Sequence, residues 1–227
     1  MEQDISTKST AEKTDMMTQL LSLSLFQGLT REKLMLLLEK VKLDFRHVSH
    51  YCVLRQGDLH DSVVFVLRGT VRREVELGAC RFTEELTTPT LLEMCSLFGR
   101  DTSLRASYYI DGEGDLLVFE KQYLYTVFNR FEIIQLNILN ILSARSQRME
   151  ERLRRPVAPT LEGKVMQLVE NFSDQPGGEK HLFVNREDLA DMLDVNRRAL
   201  SQAIVGMERK GLLRIAYSEL IFPGTQS

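Results

Sequence analysis

Arg197, Arg198 and Gln202, near the C-terminus, carry the donors and acceptors that read the edges of bases, and Ser201 stands among them. An arginine can bond two acceptors on guanine, a glutamine two positions on adenine, and a serine either a base edge or a phosphate. At helical spacing these polar residues, with Val205 and Arg209, fall opposite Leu200, Ala203, Ile204 and Met207. Arg209 and Lys210 close the segment, where cations suit phosphate. Asn196 is placed to cap this helix and Gly211 to end it.

The elements that must hold these groups are legible around them. Asn185 is a good cap for a preceding helix, and Asp188 lies three residues on, where an acid can bond back to the cap. That helix carries Arg186 in its first turn and Leu189, Ala190, Met192 and Leu193 as its apolar face. Asp194, Val195 and Asn196 break it from the second helix. Two short apolar runs, Leu212 to Ile215 and Leu220 to Phe222, follow as a β-hairpin. Helix, three-residue turn, helix and hairpin make a winged helix-turn-helix pattern, in which the second helix would enter the major groove of DNA. The plainer reading is a helical hairpin with solvated charges. Cap, break, basic second helix, terminal glycine and hairpin occurring in order favour DNA.

The chain has 227 residues, enough for one large or two modest domains, with 43% apolar and 27% charged residues. Its net charge of −3 means that any affinity for nucleic acid must come from a local basic surface, which Arg197, Arg198, Arg209, Lys210 and Arg214 supply. Three scattered cysteines, Cys52, Cys80 and Cys95, give no close metal-ligand pair and fit reduced thiols in a cytoplasm. No metal site is expected. No apolar run is long enough to cross a membrane, and the polar, acidic start is not a secretory signal. Nucleophile elbow, phosphate loop and dinucleotide fingerprint are all missing, so no catalytic residue is assigned and the chain reads as a non-enzyme.

After a polar start (1–15), Leu20 to Phe26 and a helix capped by Thr30 open the first unit. From Lys42 to about Phe119, short runs rich in Val, Phe and Tyr alternate with turns at Gln56-Gly57-Asp58, Arg68-Gly69, Leu77-Gly78 and Asp111 to Gly114. That texture predicts a β-roll or barrel. Glu120 to Arg155 has neither Gly nor Pro, and predicts one long helix. Val127, Phe131, Ile134, Ile138 and Ile141 recur on it in steps of four and three, as in a coiled-coil seam. Arg155-Pro156-Val157-Ala158-Pro159 breaks that helix. The expected fold is therefore α+β: a β-roll over 16–120, a dimerisation helix over 121–155 and a winged helix-turn-helix over 156–227.

That order of units resembles the Crp/Fnr family of bacterial transcription regulators, over roughly Leu20 to Pro223. Leu54-Arg55-Gln56-Gly57-Asp58 and Val64 to Gly69 look like the family's early β-roll strands, and Glu162-Gly163-Lys164 like the start of its first DNA-domain helix. Asn196 to Gln202 sits where the family usually carries a Ser-Arg-Glu-x-x-x-Arg recognition sequence. Arg197 matches its first Arg, but Arg198 replaces the Glu that reads cytosine and Gln202 the later Arg, so the operator should differ.

The resemblance implies a homodimer on double-stranded DNA, contact with RNA polymerase, and a cyclic-nucleotide-binding-like domain. The matching pocket region is Leu91 to Gly99, with Phe98 and Gly99 at its end, then Leu104-Arg105-Ala106-Ser107. Glu93 could take a ribose hydroxyl, while Arg105 with Ala106 and Ser107 could hold a cyclic phosphate. Leu92 replaces the glycine that lets backbone approach a phosphate. A cyclic nucleotide, another small effector and no effector all stay open. The leading expectation is a DNA-binding regulator. The alternative is an effector-sensing protein-interaction module that does not bind DNA.

Overall fold

A computed structural model describes residues 10–39, 41–128, 130–175 and 177–224; of 10–15 and 126–128 it describes the backbone alone. Most of the polar start, 1–9, and Pro176 of the expected loop lie outside the described residues. The chain opens with α1 (Thr10–Ser22), a 3-10 turn (Ser24–Phe26) and α2 (Arg31–Leu38), whose first turn is capped by the Thr30 hydroxyl accepting from Lys33 N at 3.3 Å. Strands β1 (Asp44–Leu54), β2 (Ser62–Leu77), β3 (Cys80–Leu86), β4 (Thr90–Leu91) and β5 (Ser107–Glu120) follow. Helices α3 (Gln122–Phe128), α4 (Glu132–Arg154) and α5 (Leu161–Phe172) lead to β6 (Lys180–Phe183), α6 (Arg186–Met192), α7 (Arg197–Arg209), β7 (Arg214–Ala216) and β8 (Glu219–Phe222).

Several runs separated by turn signals in the sequence are continuous strands. β2 passes straight through Arg68-Gly69, and β5 through Asp111 to Gly114. The glycines serve a close crossing of two long strands. A Cβ on Gly69 would stand 2.7 Å from the Glu113 carbonyl and 2.9 Å from Gly114 Cα, and the Gly69 φ of +109° suits only glycine. The β2–β5 register shifts at this point.

All the pairings are antiparallel, and the strands form one sheet of order β1-β5-β2-β3-β6-β8-β7, with β4 alongside β2. The β3–β6 ladder was not foreseen. It joins the strand-rich first part to the helical last part, pairing Arg81 with Phe183, Phe82 with Leu182, Thr83 with His181 and Glu84 with Lys180. The core of the last part, built on Val165, Val169, Leu189, Leu200, Ile204 and Met207, accordingly takes in Cys80 and Phe82 from β3.

The expected single long helix is two. Phe131, with φ −133° and ψ 90°, is extended and lets α4 start afresh. The expected seam also points elsewhere. Ile134 and Ile138 are buried in the core of their own chain, against Leu25, Phe26 and Leu34 among others, and Ile141 packs beside them. Asn137 on that face donates to the carbonyls of Leu25 and Gln27 at 3.0 and 2.8 Å. The Val127 side chain lies outside the described residues. On the outer side of α4, Leu139, Ser146, Met149 and Leu153 are exposed, and Leu142 is partly so. These five follow in steps of three and four, a second seam that borders the chain's own core at Leu142 and is exposed at its other positions.

Candidate nucleic-acid interface

Local chemistry holds α6 and α7 in place. The Asn185 side-chain oxygen accepts from Glu187 N and Asp188 N, each at 2.9 Å, while its amide donates to the Asp188 carboxylate. The Asn196 oxygen accepts from Arg198 N at 2.9 Å and Ala199 N at 3.3 Å. Such caps satisfy amides that the first turn leaves without helical partners. Between the helices Asp194 adopts φ +50°, and after α7 Gly211 adopts φ +71° with its amide on the Glu208 carbonyl. Leu200, Ile204 and Met207 are fully buried and anchor α7.

On the opposite side of α7, Arg197, Arg198, Gln202, Val205 and Arg209 are exposed. Ser201 is half-buried and its hydroxyl donates to the Arg197 carbonyl at 2.9 Å. Among the described residues no ion pair engages Arg197, Arg198 or Arg209. Three cations thus stand in water on one face, the condition for meeting an anionic polymer. Lys210 differs: its ammonium donates to both Glu162 oxygens, at 2.7 and 2.8 Å, tying the end of α7 to α5. Arg214 is likewise paired with Glu179, at 2.9 Å. Arg186 is half-buried, and burial pulls its pKa down against the opposing pull of Glu208. It lines a cleft of about 320 Å³ with Arg197 and the hairpin turn, Tyr217-Ser218.

Arg105 and Glu93, expected to share an effector, each bond a different neighbour. Arg105 is exposed and bonds Asp101 at 2.6 Å, one helical-type spacing away on the surface. Glu93 is buried, with φ +44°, and accepts from Tyr108 Oη at 2.5 Å and Ser96 Oγ at 2.9 Å. Ala106 is buried, and Ser107 Oγ accepts from Gln56 N at 2.9 Å. Phe98 packs on the first core, and Gly99 is exposed at φ +111°. Burial, then the Glu93 charge, pushes the Tyr108 phenol well above its ordinary pKa, so it stays a donor.

A buried charge cluster that the sequence does not announce lies beyond Tyr108. Its register partner on β2 is Arg73, which is 5% exposed. Arg73 donates to Glu84 Oε1 at 2.9 Å and to the Phe172 carbonyl at 2.8 Å, and its Nε lies 3.2 Å from Asp174. Glu84 also accepts from Ser173 Oγ at 2.6 Å and Asp174 N at 2.8 Å. Burial would lower the Arg73 pKa, but Asp174 and other neighbours, Glu84 among them, hold it above its ordinary value. Glu84 lies 11 residues from Arg73, but the partners on Phe172, Ser173 and Asp174 lie some 90 to 100 residues from the strands and leave no local pattern to read. A charge at alternate position in a strand, as at Arg73 between Val71 and Val75, was the only available signal. Among the described residues no cluster of His, Cys, Asp and Glu could hold a metal ion, and no helix is long and apolar enough to cross a membrane.

No protein-family model matches the sequence, and neither does any curated protein. Solved structures do match. The catabolite activator protein of Thermus thermophilus superposes with a TM-score of 0.50 at 19% identity, over 88% of this chain and 93% of that one. The c-di-GMP-responsive global regulator CLP of Xanthomonas campestris gives 0.50 at 17% identity, over 81% and 95%.

Proposed function

From a chain with a Crp/Fnr-like, α+β fold, we propose a sequence-specific, DNA-binding transcription regulator that acts as a homodimer. The observation that carries this reading is α7: one face is locked in a core by Leu200, Ile204 and Met207, and the other offers Arg197, Arg198 and Gln202 to solvent without ion-pair partners among the described residues. In the major groove, Arg197 and Gln202 would read bases, Arg198 would read a base edge or hold phosphate, and Ser201 and Asn196 would lie at the groove wall. Arg209 and Arg186 would hold phosphate; Lys210 could join them only by leaving Glu162.

The homodimer would form along Leu139, Leu142, Ser146, Met149 and Leu153 of α4, the outward seam, rather than along Ile134 and Ile138. Residues 16–120, 121–155 and 156–227 would serve as sensing, dimerising and DNA-binding parts, in a cytoplasmic protein that also meets RNA polymerase. An effector held jointly by Glu93 and Arg105 would require Arg105 to leave Asp101 and Glu93, now 5% exposed, to become accessible. Calorimetric titration with cyclic AMP and cyclic GMP tests that pocket directly.

A gel shift of the full chain on random-sequence duplex DNA tests the main reading. Retardation that weakens as salt rises is expected. No retardation at low salt would favour a protein-interaction module.

A further inference from the structure

Arginines recur at the end of α4, at Arg145, Arg148 and Arg152, and again at its C-cap, Arg155. Steps of three and four place them along one side of the helix. The last three line a cleft of about 250 Å³ together with Glu151, residues of the end of α5 and the segment after it, and Lys180 at the start of β6. None of the lining residues belongs to α7 or to the 91–107 segment.

The charges in this cleft do not balance locally. Its cations are Arg148, Arg152, Arg155 and Lys180, and its carboxylates Glu151, Glu170 and Asp174. Two of those carboxylates are already engaged. Asp174 lies 3.2 Å from Arg73 and 3.5 Å from Arg145, neither of which lines the cleft. Glu170 pairs with Arg155 at 2.5 Å. Arg152 donates to neutral acceptors, the carbonyls of Asn171 at 3.4 Å and Ser173 at 2.7 Å. Arg148 is exposed and makes no hydrogen bond or ion pair among the described residues. Two guanidinium groups without a counter-charge therefore share the cleft with one unengaged carboxylate, Glu151. Lys180 is buried there, its ammonium donating to the carbonyls of Gly177 and Gly178 at 2.7 and 3.1 Å. Burial pulls its pKa down against the opposing pull of Glu84, so a further negative charge nearby would stabilise the ammonium.

We propose that this cleft is a binding site for a small anion carrying two linked phosphate groups. The guanidinium fork matches phosphate oxygens two at a time. Arg148 and Arg152 stand one helical turn apart, so each can take one phosphate of a linked pair. Glu151 lies between them in sequence and opposes the anion, which sets a limit on affinity. The site does not depend on DNA binding. Because α4, α5 and β6 all border it, an occupant would tie the three together and stabilise the folded chain.

The test is calorimetric titration of the full chain with sodium pyrophosphate, in about 150 mM salt so that loose surface attraction is screened. Saturable binding is expected, weaker with inorganic phosphate, together with a rise in melting temperature that grows with pyrophosphate concentration. Arg148→Gln should weaken binding about tenfold. This residue holds nothing in the fold, so the variant should melt within about 2 °C of the unaltered protein. Glu151→Gln should tighten binding about threefold by removing the opposing charge. Adenosine diphosphate is titrated alongside. Tighter binding of it than of pyrophosphate assigns the occupant to nucleotides, and the reverse assigns it to inorganic polyphosphate; either supports the site. No saturable binding of pyrophosphate or adenosine diphosphate, or binding that Arg148→Gln and Glu151→Gln both leave unaltered, overturns it.

Discussion

Phe82 of β3 stacks on Phe172 of α5, with ring centroids 5.7 Å apart and planes at 23°. The pair joins a strand of the first part to a helix of the last, and Phe82 is fully buried in the core that supports α7. The helical part therefore borrows a piece of its interior from the sheet. Phe82→Ala should destabilise the protein by about 3–5 kcal/mol through the cavity left behind. Urea unfolding followed by far-ultraviolet circular dichroism checks this, and a segment beginning at Pro156 should expose the same vacancy.

The buried Arg73–Glu84 pair closes the same junction from its polar side. Arg73→Met leaves Glu84 with Ser173 and the Asp174 amide but without its counter-charge. Removing one partner of a buried pair costs about 3–5 kcal/mol. The double variant Arg73→Met/Glu84→Leu should recover part of that loss. Denaturation midpoints of the three proteins test it.

His60, 1% exposed, gives a dependence on pH. Burial lowers its pKa from the ordinary 6.5, against an opposing pull from Glu93. The unfolded chain then binds a proton that the folded one refuses, so stability falls as pH drops below about 6.5 and the loss is complete below the folded pKa. Thermal midpoints should fall on acidification from pH 7 to pH 5. His60→Phe should fall less over the same range.

The outward seam of α4 predicts the oligomeric state. Leu139→Arg with Leu153→Arg places charge at two exposed positions outside its own core. Analytical ultracentrifugation should show the unaltered chain as a dimer and the double variant as a folded monomer.

The face of α7 predicts how specificity is divided. Arg197→Ala or Gln202→Ala should lose about 1–3 kcal/mol of discrimination between bases. Arg209→Ala should weaken all sequences alike and flatten the salt slope by about one. Competition binding with single-base variants of a selected duplex separates the two effects.

Much of this was legible where the cause is local. Asn185, Asn196 and Thr30 cap the helices they precede, because capping needs only a side-chain oxygen two or three residues from free amides. Gly211 ends α7 for a similarly local reason. Gly69 was legible as a special backbone position but not as a crossing point, since its neighbour Gly114 lies 45 residues on. The periodicity of α4 revealed an apolar face without saying what covers it; Ile134 and Ile138 turned out to meet Leu25 and Phe26 of the same chain. Lys210 looked free for phosphate because Glu162 is 48 residues away. Arg105 looked free for a cyclic phosphate, yet its guanidinium bonds Asp101, four residues off.

Base reading by α7 as one of a pair underlies every binding prediction above. Selection of DNA bound by the full chain from a random duplex pool, followed by sequencing, measures that most directly. The expected result is an enriched motif of two inverted half-sites centred about 10 base pairs apart, which Arg197→Ala relaxes at one position of each. A pool that stays random after repeated selection, or an identical motif from Arg197→Ala, would contradict it.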